Sequence, residues 1–360
     1  VMEKEKRHIP DNTAFKQQSM PAWSPIISAK SALPVFFIIS LAFVPIGVVL
    51  LVTSQSVVEH QHDYTDCVSV ENPGVPCGLL RMNQSQMTQP CTCILNITLE
   101  TSMEGNVYMY YGLTNFFQNH RRYVKSRDDD QLIGQHKSSA QVYSCAPYHL
   151  AVENGTLRTI APCGAIANSL FNDTFTLSQG DIEVPFLRTG IAWPTDKSAK
   201  FNNPPPTTDL EEAFKIYAKP PNWQKPVTFL DRNNTDNNGY ENEAFIVWMR
   251  PAAFPHFRKP YGRLNRLGSE YNNGLPSGQY KVTINYNFPV TSFGGRKRII
   301  LSTTTWMGGK NNFLGIAYIT FGTICFFGGL VLTAVHLHAR NTREFYLHKC
   351  LFVAQQNCHN

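Results

Sequence analysis

The sequence predicts a membrane protein in which two transmembrane α-helices flank a large β-rich α+β domain. Two uncharged apolar runs, residues 33–52 and 313–335, indicate the membrane part. A helix of about 20 apolar residues, rising about 1.5 Å per residue, matches the roughly 30 Å hydrocarbon core of a bilayer. Between the runs, apolar and polar residues alternate in several segments, which predicts an antiparallel, sandwich-like β domain.

The first apolar run is too long for a signal peptide, whose apolar part has only about 7–15 residues near the N-terminus. Lys16 and Lys30 precede the run, whereas acidic residues and histidines follow it, and positively charged flanks remain cytosolic. We therefore expect a cytosolic tail at 1–32, a first span at 33–53, an exoplasmic domain at 54–312, a second span at 313–336 and a cytosolic tail at 337–360.

The second run has cations on both sides, among them Lys297 and Lys310 before it and Arg340 and Lys349 after it. Its own flanks therefore do not set its direction. The direction follows from the first span, because a second span returns the chain to the side on which it began.

Composition and motifs argue against several functions. The formal net charge is +6 over 360 residues, and its spread along the chain does not give the concentrated basic face that nucleic-acid binding needs. The sequence has no Gly-x-Ser-x-Gly elbow, phosphate-binding loop or zinc-protease motif. Residues 196–199, Asp-Lys-Ser-Ala, are similar to the aspartyl-phosphate signature of pumps but lack the Thr-Gly that follows it. We predict no catalytic residue, metal or cofactor.

Cysteine placement predicts disulfides in the middle of the chain. Six of the nine cysteines lie between the spans: Cys67, Cys77, Cys91, Cys93, Cys145 and Cys163. Disulfides persist on the exoplasmic side. Cys91 and Cys93 are too close to bond to each other without strain, so each is expected to bond to Cys67 or Cys77, which leaves Cys145 for Cys163. A Cys-x-Cys zinc site is the disfavoured alternative. Cys325 lies in the second span, and free cytosolic thiols are expected at Cys350 and Cys358.

Acceptors for N-linked glycans give a second indication of topology, because they are used only in the lumen. The acceptors are Asn83, Asn96, Asn154, Asn172 and Asn233. All lie between the spans, although that segment is also most of the chain. We predict glycosylation at these asparagines.

Periodicity places the secondary structure of the middle segment. Residues 279–290 alternate strictly between apolar and polar, which predicts a strand with one wet face. Further strands are expected at 93–99, 106–113, 244–250 and 298–306. Few helices are expected: one at 210–219, preceded by the capping box of Asp209 and Glu212, and one at 115–126.

Three polar clusters have a functional and a structural interpretation. Residues 234–239, Asn-x-Asp-x-Asn-Gly, match half of a calcium loop, but its twelfth position is Phe245, so a polar turn is favoured. The charged run at 120–132 is interpreted as a self-neutralising surface rather than an acid–base pair. His60 and His62 lack a third metal ligand in the sequence pattern, so an ordinary pair near the membrane is favoured.

The N-terminal tail and the second span contain the candidate partner contacts. Prolines at 10, 21 and 25 prevent a continuous helix in the tail, and Phe15 and Trp23 are its aromatic anchors. From the residues alone, a disordered leader is favoured over a strip that lies on a partner. In the second span, small residues such as Gly315 and Gly322 would let another helix approach closely.

Several motifs together resemble the cell-division-cycle 50 family, the accessory β-subunits of type IV P-type ATPases. They are PDNTAFKQQ at 10–18, PAW at 21–23, EGNVYMYYGLTNFFQNHRRYVKSRDD at 104–129, APCGAIANSLFND at 161–173 and WMGGKNNFLGIAY at 306–318. The resemblance extends from residue 10 to about residue 334. It implies a non-catalytic subunit that pairs with a phospholipid flippase, escorts it from the endoplasmic reticulum and supports aminophospholipid transfer to the cytosolic leaflet.

The resemblance also implies site residues. It pairs Cys67 with Cys93, Cys77 with Cys91, and Cys145 with Cys163, and it matches Asn96 and Asn172 to family glycan positions. It places the tail strip along the cytosolic side of the pump, which reverses the preference for a disordered leader. Candidate partner contacts are therefore Asn12, Phe15, Trp23, Gly315 and Gly322, and the expected location is a membrane between the endoplasmic reticulum, Golgi, secretory vesicles and plasma membrane.

Departures from the family pattern suggest a divergent paralogue. Pro194 stands where the family has a second Trp, Asn202 where it has Arg, and Pro251 where it has Thr. The two prolines lie beside predicted strands, where they are expected to remove ladder hydrogen bonds. The alternative function is a two-span channel or receptor subunit with a disulfide-rich ectodomain, which predicts self-assembly and a polar face on the second helix.

Overall fold

The computed structural model describes residues 11–22, 28–82, 89–138, 140–153, 155–206, 209–267 and 270–357, with side chains as far as residue 343. Its helices are α1 (Ala29–Gln55), α2 (Cys77–Leu80), α3 (Arg121–Lys125), α4 (Asp129–Leu132), α5 (Ala165–Asn168), α6 (Pro194–Ala199), α7 (Leu210–Phe214), α8 (Glu243–Met249) and α9 (Asn312–Asn357). The chain divides into two units, a helical unit of residues 1–52 and 311–360 and a β domain of residues 53–310.

The helical unit contains α1 and α9, and both helices are long and apolar enough to cross a membrane, over Ala29–Gln55 and Asn312–Arg343. Helix α1 begins four residues before the predicted apolar run. Helix α9 continues far beyond its apolar run, to Asn357. The continuation is polar but contains neither proline nor glycine, so nothing in its sequence ends the helix.

The β domain contains two larger antiparallel sheets. Its strands are β1 (Glu59–Asp63), β2 (Thr92–Leu99), β3 (Met103–Glu104), β4 (Val107–Leu113), β5 (Leu150–Glu153), β6 (Thr156–Thr159), β7 (Thr174–Gln179), β8 (Ile182–Glu183), β9 (Phe186–Leu187), β10 (Phe257–Leu264), β11 (Gly274–Leu275), β12 (Gly278–Asn285) and β13 (Lys297–Thr303). One sheet has the order β1-β13-β4-β10-β9 and the other β2-β12-β7-β8. The pairs β3–β11 and β5–β6 are separate two-stranded ribbons.

One hydrophobic core joins the two sheets. It includes Tyr111 and Ile299 from the first sheet and Val282 and Ile284 from the second. Phe175 of β7 packs against Tyr261 of β10, with 4.7 Å between ring centroids. The sandwich-like antiparallel architecture predicted from the sequence is therefore confirmed.

Four strand predictions are confirmed, as β2, β4, β12 and β13. The alternation of β12 continues past its last paired residue, because Tyr286, Phe288 and Val290 are buried as well. Both helix predictions in the middle segment were too long. Helix α7 ends at Phe214, and only Arg121–Lys125 of the 115–126 segment is helical.

The strand predicted at 244–250 was wrong, because this segment forms helix α8. The side chain of Asn242 caps the start of the helix by accepting a hydrogen bond from the Phe245 N–H at 3.0 Å. At the other end, the Lys259 ammonium donates to the carbonyl oxygens of Val247 and Trp248 at 3.0 and 2.7 Å. These caps outweigh the β propensity of the segment.

The expected loss of ladder hydrogen bonds at Pro194 and Pro251 was also wrong. Pro194 is in the first turn of α6, where proline is favoured because that N–H has no helical partner. Pro251 follows Arg250, the residue at the C-terminal cap of α8. Neither proline lies in a strand.

Candidate partner-binding and modification sites

Glycines bring α1 and α9 into close contact. A Cβ atom at Gly315 would lie 2.8 Å from the backbone nitrogen of Leu51, and one at Gly322 would lie 2.8 Å from Val44 Cγ2. Gly47 of α1 approaches Ile319 of α9 in the same way. The small surfaces predicted on the second span are therefore occupied by the first span of the same chain. This packing accounts for Gly315 and Gly322 without an external partner.

A groove of about 520 Å³ remains between the two helices. Its lining residues are mostly apolar: Phe37, Ser40, Leu41, Val44, Pro45, Thr323 and Phe326. Leu41 is 77 % exposed, whereas the Thr323 hydroxyl donates back to the Ile319 carbonyl at 2.7 Å. Because that hydroxyl is already bonded, the groove presents an apolar surface to a neighbouring helix or acyl chain.

The N-terminal strip is described at residues 11–22, and Trp23 lies outside the described residues. Residues 14–18 form a turn, in which the Gln17 N–H donates to the Thr13 carbonyl at 2.9 Å. Lys16 forms an ion pair with Asp11. Asn12 is exposed and Phe15 is 77 % exposed, so the turn presents an aromatic ring that the described part of the chain leaves largely uncovered.

The structure joins the six cysteines of the β domain as Cys67–Cys93, Cys77–Cys91 and Cys145–Cys163. These pairs are the ones that the family resemblance implies. Their Cα atoms are 5.7–6.0 Å apart, which is the usual range for a disulfide. Among the described residues, the sulfurs of Cys67, Cys77 and Cys93 also form the only group of three potential metal ligands within 4.8 Å. Each of them is in a disulfide, so they are not free thiolates for a metal.

Three of the five glycan acceptors lie in the described part of the chain, and all three are exposed: Asn96, Asn172 and Asn233. Asn96 is in the middle of β2, opposite Lys281 of β12. Asn172 precedes β7. Asn83 and Asn154 lie outside the described residues.

Hydrogen bonds within the chain engage the polar residues of the half calcium loop at 234–239. The carboxamide oxygen of Asn234 accepts from the Asp236 N–H at 3.2 Å. The carboxamide oxygen of Asn238 accepts from the N–H groups of Asp231 and Gly239. These contacts form a polar turn, as the sequence favoured.

The charged run at 120–132 contains a local helix cap and ion pairs. The Asp128 carboxylate accepts from the Gln131 N–H and caps α4. Arg127 pairs with Asp129, and Lys137 pairs with Asp130. The run therefore forms a self-neutralised surface.

An exposed aromatic–cation pair on the β domain was not predicted from the sequence. The guanidinium of Arg250 lies 5.2 Å from the ring centroid of Trp193, which is 64 % exposed. Beside it, a cavity of about 310 Å³ is lined by charged residues that pair with each other, including Asp196 with Lys200 and Arg250. Trp and Arg are enriched at the energetic centres of protein interfaces. The sequence feature that could have indicated this pair is Trp193, which directly precedes Pro194, the position at which the family has a second Trp.

The buried ionisable groups in this region stabilise the fold. Burial lowers the pKa of Lys259 well below its usual value. Its ammonium donates hydrogen bonds to carbonyl oxygens at the C-terminal end of α8. Burial also tends to raise the pKa of Glu243, but hydrogen bonds from the backbone of Ala192 and Ile191 and from Lys197 outweigh it and lower that pKa. The side chains of Lys259 and Glu243 are therefore both engaged in hydrogen bonds within the domain.

Two apolar helices and one disulfide-linked antiparallel domain define the class of protein: a two-span membrane protein with a single large β-rich domain. A family model described as the LEM3 (ligand-effect modulator 3) family / CDC50 family matches residues 50–342. The chain belongs to this family.

Curated relatives agree with the family match. Cell cycle control protein 50A of Bos taurus is 53 % identical over 343 residues, which cover 94 % of this chain and 91 % of the relative. Cell cycle control protein 50B of Homo sapiens is 47 % identical, covering 92 % and 94 % of the two chains. ALA-interacting subunit 3 of Arabidopsis thaliana is 38 % identical, covering 91 % and 86 %. The name of the plant relative describes it as an interacting subunit.

Proposed function

We propose that this protein is a non-catalytic accessory subunit of a type IV P-type ATPase that transports phospholipids. Membership of the LEM3/CDC50 family over most of the chain is the observation on which the proposal depends. A relative named as an interacting subunit supports a role in binding a larger protein. In this role the chain supports exit of the pump from the endoplasmic reticulum and aminophospholipid transfer to the cytosolic leaflet. The complex would then act in the Golgi, secretory vesicles or plasma membrane.

The proposed topology places the β domain, residues 54–312, on the exoplasmic side and both tails in the cytosol. The three disulfides support this placement, since disulfides persist in an oxidising compartment. The exposure of Asn96, Asn172 and Asn233 is compatible with glycans at these positions. The placement also assigns the tail strip, with Asn12, Phe15 and Trp23, to the cytosolic side of the pump.

The groove between α1 and α9 is the proposed contact for the membrane part of the pump. It is apolar, and it is lined by an exposed residue of α1, Leu41. In a bilayer, apolar helices associate through close packing rather than through the hydrophobic effect. A groove with room for side chains is therefore where a partner helix gains the most packing.

Co-purification tests the proposal. The full chain is expressed with each member of a panel of type IV P-type ATPase catalytic subunits, purified in mild detergent, and assayed for the bound ATPase. Resistance of the glycans of this chain to endoglycosidase H reports exit of the complex from the endoplasmic reticulum. We expect at least one pump to co-purify and this chain to gain resistance when that pump is co-expressed, whereas a calcium-transporting P-type ATPase, the negative control, does not co-purify.

A pair of variants tests the groove. Leu41→Trp fills it and is expected to lower recovery of the pump. Val35→Trp adds the same ring at a position of α1 that is 51 % exposed but outside the groove lining, and it is expected to leave recovery unchanged. If no type IV ATPase co-purifies, the proposal is wrong. Self-assembly with ion currents from the chain alone would instead support a two-span channel subunit.

A further inference from the structure

We propose that the glycan attached to Asn172 folds back onto the protein, with its first two N-acetylglucosamine residues in a groove beside the attachment point. This inference rests on the exoplasmic placement of the β domain in the proposed function. The groove has a volume of about 290 Å³, near the lower limit of about 300 Å³ for pockets that hold small molecules. Asn172 itself lines the groove, so the glycan starts inside the surface that it would occupy.

The backbone around Asn172 is fixed while its side chain remains available. The carbonyl oxygen of Asn172 accepts from Asn287 Nδ2 at 3.2 Å. The next residue, Asp173, is buried and accepts from the N–H groups of Asn287 and Phe288 at 2.6 and 2.7 Å. Within the described residues, the carboxamide of Asn172 makes no hydrogen bond. The first sugar therefore leaves from a rigid point, which lowers the entropy lost when the sugar settles on a surface.

The groove walls offer apolar and aromatic surface to a sugar ring. Leu170 and Phe229 both line the groove, and Phe229 is 36 % exposed. The Arg232 guanidinium lies 3.7 Å from the centroid of the Phe229 ring. The remaining ring surface is available for the C–H groups of a pyranose, which are attracted to the negative face of an aromatic ring.

Polar groups at the groove match the hydroxyl and N-acetyl groups of the same sugar. Gln224 and Lys225 line the wall beside Phe229 and are exposed. Among the described residues, neither side chain is engaged in a hydrogen bond, so the amide and the ammonium are both available as donors. Covalent attachment raises the effective concentration of the sugar near these donors. Individually weak contacts are then sufficient to hold it.

Asn96 provides a natural comparison within the same domain. It lies in mid-strand on the exposed face of β2, between Leu95 and Ile97, opposite Lys281. Asn96 does not line the Asn172 groove or any of the other cavities described above. A glycan at Asn96 therefore projects from a sheet surface, whereas one at Asn172 starts in a groove.

Release of the glycans from the native protein tests the inference. The full chain is produced in cells that glycosylate it, purified in mild detergent and treated with peptide-N-glycosidase in heavy-oxygen water, and site-specific release is followed by mass spectrometry. We expect Asn172 to lose its glycan at least about fivefold more slowly than Asn96, the factor that a docking equilibrium of about 1 kcal/mol gives. After denaturation the two rates should be equal.

Phe229→Ser removes one groove wall and is expected to bring the Asn172 rate close to the Asn96 rate. Phe254→Ser is the matched control, since Phe254 is a 74 % exposed phenylalanine outside the groove. If Phe229→Ser does not fold, Gln224→Ala replaces it, with a smaller expected acceleration.

The outcomes separate this inference from the proposed function. Equal release from Asn96 and Asn172 in the native protein overturns the docked glycan but leaves the accessory-subunit role intact. A glycan at Asn96 with none at Asn172 also overturns the inference alone. If both asparagines are bare in the mature protein, the exoplasmic placement fails, and the docked glycan fails with it.

Discussion

Lys297 and Asp173 form an ion pair inside the β domain, with 2.6 Å between Nζ and Oδ2 and neither side chain exposed to solvent. The same carboxylate oxygen accepts from the Tyr64 hydroxyl at 2.7 Å. The ammonium also donates to the Phe288 carbonyl at 2.7 Å and lies 3.1 Å from the ring centroid of Tyr286. Burial lowers the pKa of Lys297 to about 8, although Asp173 opposes the shift. The contacts of the ammonium with the Asp173 carboxylate and the Phe288 carbonyl favour the charged form of the lysine.

Lys297→Met is expected to lower the free energy of unfolding by about 3–5 kcal/mol, because it leaves a buried carboxylate without its cation. Denaturant unfolding of the full chain in detergent, followed by tryptophan fluorescence, measures the change. Lys281→Met, at an exposed position of β12, is the control and should change stability by less than about 0.5 kcal/mol.

A double variant tests whether the unpaired carboxylate causes the loss of stability in Lys297→Met. Adding Asp173→Asn to Lys297→Met removes the unpaired charge while keeping the glycan acceptor sequence at 172–174 intact. The double variant should therefore be more stable than Lys297→Met alone. A single variant as stable as the wild type would contradict the role assigned to this pair.

The sequence predicted the parts of the fold that depend on local patterns. The two spans follow from uninterrupted apolar runs, and β12 follows from a period of two that extends from Tyr280 to Val290. The strand predicted at 244–250 was wrong because one of the two caps of helix α8 comes from Lys259, which lies on β10, outside the segment whose pattern was analysed. A local pattern does not show such a contact.

The same limit applies to the sites. In the sequence, Lys297 is one of the cations that precede the second span, whereas the structure buries it against Asp173, 124 positions earlier. The spacing of the cysteines reduced the number of possible pairings, but only the family resemblance assigned all three pairs. The groove at Asn172 was not predictable, because its walls come from separate segments around Leu170, Phe229 and Asn287.

The disulfide Cys145–Cys163 is expected to stabilise a local region rather than the whole domain. With Val142, Ile160 and Ala218 it forms a small apolar cluster separate from the main core. The two cysteines are 18 residues apart, and removing a disulfide that closes a loop of this length costs about 3 kcal/mol of stability in the chain-entropy model. In the variant with Cys145→Ala and Cys163→Ala, hydrogen exchange should accelerate in β5 and β6.

Strands β2 and β12 are the internal reference for this experiment, because they lie in the main core. Their exchange rates should stay within about twofold of the wild type if the two clusters unfold separately. Cys325→Ser, which removes a free thiol, controls for the loss of sulfur. Equal acceleration throughout the domain would show that the small cluster is not an independent unit.

His62 is expected to make stability depend on pH. His60 and His62 lie opposite Leu301 and Ile299 of β13, and the Nε2 atom of each is shielded from solvent without a hydrogen-bond partner among the described residues. Burial, and then the neighbouring His60, lower the pKa of His62 below 6.5. The unfolded chain therefore binds protons more readily as the pH falls below about 6.5, so the free energy of unfolding decreases there.

The melting temperature of the full chain should thus fall between pH 7.5 and pH 5.5, and His62→Gln should reduce that fall. Differential scanning fluorimetry at the two pH values measures both effects. His256→Gln, at an exposed position, should leave the pH dependence unchanged. A wild-type melting temperature that rises toward pH 5.5, or an unchanged fall in His62→Gln, would contradict the assignment.

Gly322→Leu is expected to separate α1 from α9. A Cβ atom there would lie 2.8 Å from Val44 Cγ2 and 3.2 Å from the Val44 nitrogen, and overpacking of this kind costs about 1–3 kcal/mol. The rings of Phe43 and Tyr318 are stacked with centroids 4.9 Å apart. Cysteines in place of these two residues, in a chain in which Cys325, Cys350 and Cys358 are replaced by serine, should therefore cross-link readily through a short thiol reagent.

Gly322→Leu should lower the cross-linking yield of this pair, because the backbones can no longer approach as closely. Gly328→Leu is the matched control on the same helix, since its Cβ would meet only Phe36 ring atoms, at 3.6 Å or more, which is an ordinary contact distance. If both variants cross-link as well as the parent, the close approach at Gly322 does not hold the helices together. If both fail, substitution anywhere along α9 disrupts the pair, and the specific role of Gly322 is wrong.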